Sequence, residues 1–136
     1  MFESINTNGS ALNAAKTWME ISSDNIANAN SSAAPGEAPY ARKSVVLQEI
    51  SPFEAKLNGV NGVKVENIVS DTKNVKTVYD PTHPNSDQDG YVRYANIDLT
   101  AEMTNIMVGQ KMYAANTSAL QANEKMLDKE LEIGKI

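Results

Sequence analysis

Apolar positions repeat every seven residues near the C-terminus of this chain. The repeat runs through roughly four heptads: Leu99, Ile106, Tyr113, Leu120 and Leu127. Met103 and Leu131 widen the stripe, and no proline interrupts it. A heptad repeat of this length is typical of a helix that packs along other helices. The pattern predicts a long helix that starts after Asp98, a good N-cap, and stops at Gly134.

A shorter heptad line marks the N-terminal segment, where most other positions are Ser, Thr, Asn or Ala. Its members are Ile5, Leu12, Met19 and Ile26. Trp18 lies beside this line on a helical projection. The apolar stripe is narrow, so the predicted helix cannot bury itself alone. Asn, Ser, Pro and Gly between residues 28 and 36 disfavour its continuation.

The middle of the chain has the alternating pattern of short β-strands. Ser44–Ile50 and Val63–Val69 alternate apolar and polar residues as half-buried strands do. The two Asn-Gly pairs within residues 58–62 predict a turn between these runs. A third short strand is expected at Val75–Tyr79. Three or four such strands make one small sheet, which needs outside support to be stable.

These patterns predict a mainly α fold with a small β insert. Residues 1–34 form an N-terminal helix, residues 35–95 a small β and loop domain, and residues 96–136 a long C-terminal helix. We expect the two helices to pack as an antiparallel coiled-coil-like hairpin. The C-terminal helix is longer, so its excess apolar stripe must be covered from outside the monomer. The candidate assembly interface comprises Ile5, Leu12, Trp18, Met19, Ile26, Leu99, Met103, Ile106, Tyr113, Leu120, Leu127 and Leu131.

Composition argues against several classes of function. Lys plus Arg number 12 and Asp plus Glu 17, and a formal charge of −5 without a basic run disfavours nucleic-acid or membrane-surface binding. No stretch approaches the roughly 18 apolar residues of a membrane span. The first residues lack the basic and apolar regions of a cleaved secretory signal. With no Cys and one His, we predict no catalytic, cofactor-binding or metal-binding residues.

One loop contains two weak candidates for chemistry. Asn85–Gly90 matches the first half of a calcium loop, but Asn96 stands where the loop needs a bidentate Glu. An acidic turn is therefore the preferred interpretation. His83 lies between two prolines near Asp80 and Asp87, without a nucleophile in a recognisable setting. It is interpreted as a loop residue, not as a general base.

The segment Ile21–Asn30 resembles the N-terminal signature of the bacterial flagellar axial proteins, the rod and hook subunits. The core of that signature, S-x-N-[IL]-A-N, is represented here by Ser23, Asn25, Ile26, Ala27 and Asn28. Four later stretches resemble the proximal rod members of the family: Pro39–Lys43, Tyr79–Pro81 with Asp87–Val92, Glu102–Asn105 and Tyr113–Asn116. The resemblance covers nearly the whole chain in the family's order. One departure is Asn30-Ser31, where an acidic residue followed by Ser or Thr is commoner.

The resemblance implies a structural subunit of the flagellar basal-body rod, without enzymatic activity or cofactor. Such a subunit polymerises with itself and other rod subunits through its terminal helices, and the rod transmits torque. It implies export by the flagellar type III apparatus without a cleaved signal, a place in the periplasmic rod, and no nucleic-acid partner or stable membrane insertion. One alternative is a secretion-linked binding module, a chaperone or needle-like subunit with the same hairpin plan. Another is a small calcium-dependent or hydrolytic enzyme.

Overall fold

The computed structural model describes residues 2–51, 54, 56 and 61–134. Helix α1 spans Phe2–Asn28 and helix α2 spans Leu99–Ile133. The strands between them are β1 (Arg42–Glu49), β2 (Val63–Asp71), β3 (Val75–Tyr79) and β4 (Tyr91–Ala95). The predicted order of two long helices with a small antiparallel β region between them is confirmed.

Helix α2 begins and ends where its sequence signals predict. The Asp98 carboxylate accepts hydrogen bonds from the backbone N–H groups of Thr100 at 2.9 Å and Ala101 at 3.3 Å. These bonds satisfy two of the donors that every helix start leaves free. At the other end the Gly134 N–H donates to the Glu130 carbonyl at 3.0 Å. Gly134 keeps right-handed backbone angles, so the helix stops without the left-handed turn common at such glycines.

The Asp98 cap gives a prediction about stability. We expect Asp98→Ala to lower the free energy of unfolding by about 1 kcal/mol, because both N–H groups lose their acceptor. Thermal unfolding followed by circular dichroism measures the change. Asn96→Ala is the control, because Asn96 is exposed and precedes the cap. Equal melting temperatures for the two variants would show that the cap contributes nothing.

The four strands form two separate antiparallel pairs. β1 pairs with β2, in register from Arg42 opposite Asp71, with an irregularity between Val46 and Leu47. β3 pairs with β4. The three predicted strands are confirmed: β1 and β2 have slightly shifted ends, and β3 spans the predicted residues. β4 was not predicted. The part of the predicted turn at residues 58–60 lies outside the described residues.

The prediction of one small sheet is wrong: β2 leads into β3 through a turn, but the two strands do not pair. The Asp71 carboxylate accepts hydrogen bonds from the Asn74 side chain and from the backbone N–H of Lys73. These bonds hold the pKa of Asp71 below its ordinary value and stabilise a tight turn before β3. On β4, the Arg93 carbonyl accepts the N–H of Ala33 at 3.0 Å. The segment after α1 therefore pairs with the edge of β4 that a larger sheet would use.

The two helices contact each other along α1. The Asn123 side-chain amide donates to the Ser4 hydroxyl at 2.9 Å. Further along α1, Met19 lies so close to Gly109 that a Cβ on the glycine would be 2.6 Å from the Met19 Cγ. Among the described residues the buried apolar side chains are small: Ala14, Ala15, Ala33, Val92 and Ala95. The core is therefore thin, and close helix approach replaces bulky packing.

Candidate assembly interface

The predicted apolar line on α1 lies beside the buried face of the helix. Ile5, Leu12, Met19, Ile26 and Trp18 are all half-buried. The buried positions of α1 are instead Ala14, Ala15, Ser22 and Asn25. Small and polar side chains thus form the closest contacts of α1, and its larger apolar side chains stay partly accessible.

The predicted apolar line on α2 is even more accessible. Met103 is 55% exposed, Leu131 64%, Tyr113 43% and Leu99 39%. Ile106, Leu120 and Leu127 are half-buried. Large apolar side chains repeated along one helix and left in solvent form a candidate surface for contact with other protein. This stripe can bury substantial apolar area against a second helix.

The buried positions of α2 form a different line that sequence reasoning missed. Glu102, Gly109 and Asn123 are buried and differ by multiples of seven in sequence. Asn123 contacts Ser4, Gly109 lies under Met19, and Glu102 is paired with a strand residue described below. The seven-residue spacing was visible in the sequence. It was missed because none of the three residues has a large apolar side chain.

Within the motif that suggested the family, Asn25 makes the long-range contacts. Its side-chain amide donates to the Lys43 carbonyl of β1 at 2.8 Å, and its Oδ1 accepts the Lys43 N–H at 3.0 Å. The Tyr40 hydroxyl donates to the same Oδ1 at 3.2 Å. Asn25 is 1% exposed, so these bonds replace all contact with water. The motif asparagine therefore ties α1 to β1.

The other motif residues make smaller contributions. Ile26 is half-buried, and Ser23 and Ala27 are exposed. The Asn28 side chain donates to the Asp24 carbonyl one helical turn earlier, at 2.9 Å. That bond stays within the last turns of α1, so Asn28 contributes to the helix end and not to long-range packing.

A buried ion pair joins the start of β1 to the first turn of α2. Glu102 is 1% exposed, and its Oε1 accepts from Arg42 Nε at 2.7 Å and Nη2 at 2.6 Å. Arg42 Nη1 donates to the Ser44 hydroxyl at 2.9 Å. The helix dipole also favours a negative charge in a first turn. Burial raises the pKa of the nearby Tyr40 hydroxyl, and the carboxylate of Glu102 adds to that shift.

The loop that resembles a calcium site uses its carboxylates for internal bonds. Asp87 Oδ1 accepts the N–H groups of Asp89 at 3.0 Å and Tyr91 at 2.8 Å. His83 Nδ1 accepts the N–H of Asn85 at 3.1 Å. In the part of the chain that the structure describes, no three His, Cys, Asp or Glu side chains are grouped to hold a metal ion. Nor is any helix there both long and apolar enough to span a bilayer.

Comparison with known proteins shows which family the sequence resembles. Residues 88–133 match the family model described as the flagellar basal body rod FlgEFG protein C-terminal. The chain is 39% identical to the flagellar basal-body rod protein FlgC of Bacillus subtilis, over 98% of each chain. It is 36% identical to FlgC of Salmonella typhimurium, over 93% of this chain and 92% of that one. FlgC of Borreliella burgdorferi is 31% identical, over 98% and 97%.

These matches define the class as the rod proteins of the flagellar basal body. The family model covers β4 and all of α2, and the relatives that match along nearly the whole chain add α1 and the rest of the β region. The chain belongs to the FlgC family of flagellar basal-body rod proteins. The resemblance on which the sequence interpretation depended is confirmed.

Proposed function

We propose that the chain is a non-enzymatic structural subunit of the flagellar basal-body rod. It assembles with copies of itself and with other rod subunits through α1 and α2. One observation carries the proposal: a chain similar to FlgC over nearly its whole length presents an apolar stripe along α2 that its own fold leaves exposed. A subunit of a polymer needs such a surface, because its neighbours complete the burial.

Within the subunit, we propose that α1 and α2 pack as an antiparallel coiled-coil-like hairpin. Two contacts support this packing, Ser4 with Asn123 and Met19 with Gly109. As the residue number rises along α1, it falls along α2, which is the order that antiparallel helices produce. The three-part division into residues 1–34, 35–95 and 96–136 follows from this arrangement and is part of the same proposal.

The proposal includes how the subunit reaches the rod and what it does there. It leaves the cell through the flagellar type III export apparatus without a cleaved signal, takes its place in the periplasmic part of the rod, and helps to transmit torque. An acidic chain with a thin core suits passage through a narrow channel, because little apolar burial must be undone first. Neither nucleic acid nor a stable membrane insertion has a role in this function.

The exposed stripe gives the direct test. In a strain that lacks the gene, we expect wild-type protein to restore swimming in soft agar and to appear in purified basal bodies. Met103→Glu should lower its content in basal bodies by about tenfold or more, since a buried charge at an interface costs several kcal/mol. Met103 is 55% exposed in the subunit, so the fold itself should be little affected.

Ala115→Glu is the matched control. It adds the same charge to an exposed position of α2 that lies about 120° away around the helix. We expect basal bodies to contain this variant at the wild-type level. Equal incorporation of the two variants would exclude the stripe as the assembly surface. Failure of the wild-type protein to restore swimming would count against the rod function itself.

A further inference from the structure

We propose that Asn25, Arg42 and Glu102 form a clasp that lets α1 and α2 pair at this end of the molecule only when β1 is docked at their junction. The three residues belong to three different elements, and two of them, Asn25 and Glu102, are almost completely buried. The clasp is thus a conformational device that makes the helix pair and the β region fold together.

The first part of the clasp is an asparagine that takes the place of a neighbouring strand. The Lys43 N–H and carbonyl belong to β1, and both bond to the Asn25 side-chain amide: the N–H donates to Asn25 Oδ1, and the carbonyl accepts from Asn25 Nδ2. A side-chain amide carries the same donor and acceptor as a peptide group, so it can pair with a strand edge. Without β1, Asn25 would lose these partners while lying on the buried face of α1.

The second part of the clasp is a buried carboxylate with its counter-charge on another element. Glu102 lies on the buried line of α2, and Arg42 at the start of β1 supplies two N–H donors to it. Removing one partner from a buried pair leaves an uncompensated charge, which is strongly destabilising. The Arg42 side chain is 35% exposed, so it tolerates loss of its partner better than Glu102 does.

These two parts make helix pairing conditional. If α1 and α2 closed at this end without β1, the Asn25 amide and the Glu102 carboxylate would both be buried without their partners. The cleft at the junction is lined by Ser22 and Asn105 as well as Glu102, so polar groups occur on both helices there. At the opposite end the Ser4–Asn123 bond joins α1 and α2 directly, and β2 bonds to α1 through the Val63 N–H, which donates to the Ser10 hydroxyl at 3.1 Å.

A charge-removal cycle tests the clasp. The four chains are wild type, Arg42→Met, Glu102→Gln and the double variant, each expressed in the strain that lacks the gene. Rod content of Arg42→Met should fall about tenfold or more, because the buried carboxylate is left alone. Glu102→Gln should keep about half of the wild-type content or more. The double variant should recover most of what Arg42→Met loses, because no buried charge remains.

Rod content as a readout rests on the proposed function, so the same four chains are also purified and melted. Arg42→Met should lower the melting temperature by about 5 °C or more, and the added Glu102→Gln should restore most of it. If the double variant stays as unstable as Arg42→Met, Arg42 acts elsewhere and the clasp is wrong. If wild type fails to enter rods but the melting cycle shows rescue, the proposed function fails and the clasp stands.

The asparagine is tested against the other asparagine of the same motif. Asn25→Asp keeps the shape but replaces the donor to Lys43 with a second oxygen, and we expect it to lower the melting temperature as much as Asn25→Ala does. Asn28→Ala removes only a bond within α1, so it should change the melting temperature by a few degrees at most. Similar losses for Asn25→Ala and Asn28→Ala would refute the strand-like role of Asn25.

Discussion

Leu120→Asp is expected to abolish assembly of the subunit into rods, and swimming with it. Leu120 is half-buried on α2, in the predicted interface line and beside Asn123 of the buried line. A carboxylate there loses hydration, no Lys or Arg lies within four residues of it along α2, and Glu124 four residues on adds repulsion. The cost should reach roughly 2–4 kcal/mol in the subunit and more once neighbours complete the burial. Subunit content of purified basal bodies, with swimming in soft agar, measures the effect.

The neighbouring position supplies the control for Leu120→Asp. Gln121 is exposed, and an aspartate there has Lys125 four residues further along the helix. Such a pair is neutral or slightly stabilising, so Gln121→Asp should assemble normally. Complete rods built from the Leu120→Asp protein would show that this part of α2 does not become buried on assembly. The interface would then have to lie elsewhere on the subunit.

The second large effect is expected at Gly109, which lies against Met19 of α1. A Cβ at this position would lie 2.6 Å from Met19 Cγ and 3.6 Å from the Ala15 carbonyl oxygen. Gly109→Val adds two further methyl groups in the same space, so α1 and α2 must separate. Overpacking of this kind costs about 1–3 kcal/mol. We expect a lower melting temperature together with a large loss of incorporation into rods.

Gly9 makes this prediction specific to the helix contact. A Cβ built at Gly9, also in a helix interior, meets nothing within 4 Å. Replacing a helical glycine also removes its backbone entropy cost. Gly9→Val should therefore be neutral or slightly stabilising, whereas Gly109→Val should be destabilising. Destabilisation by both variants to the same degree would indicate a general intolerance of valine and not a close helix contact.

The helices and strands were predicted from local signals in the sequence, and most of these predictions are confirmed. Asp98 and Gly134 mark the ends of α2 because capping depends on residues within one helical turn. The strands β1, β2 and β3 were recognised because a strand pattern also depends only on neighbouring residues. β4 was missed because its run, YVRYA, does not alternate apolar and polar residues. The family was recognised from short motifs that occur in the family's order along nearly the whole chain.

Which line of each helix is buried was decided by the tertiary structure. A heptad repeat shows which face is apolar, but the closest contact between two helices also depends on side-chain volume. On α2 the small and polar line through Gly109 allows close approach, and the large apolar line stays beside it, partly exposed. The interface residues predicted from the apolar lines remain candidates for contacts between subunits.

The two helices, the ends of α2, the three predicted strands and membership in the rod family all follow from the sequence, because each depends on neighbouring residues or on motif order. The partners of the protein's buried polar groups do not follow from the sequence. Arg42 reaches Glu102 across 60 positions, and Asn25 reaches Lys43 across 18. From the sequence alone, the residues of either pair could equally be polar side chains exposed to solvent. Only the fold brings them together out of water, where an unpaired charge or amide is costly.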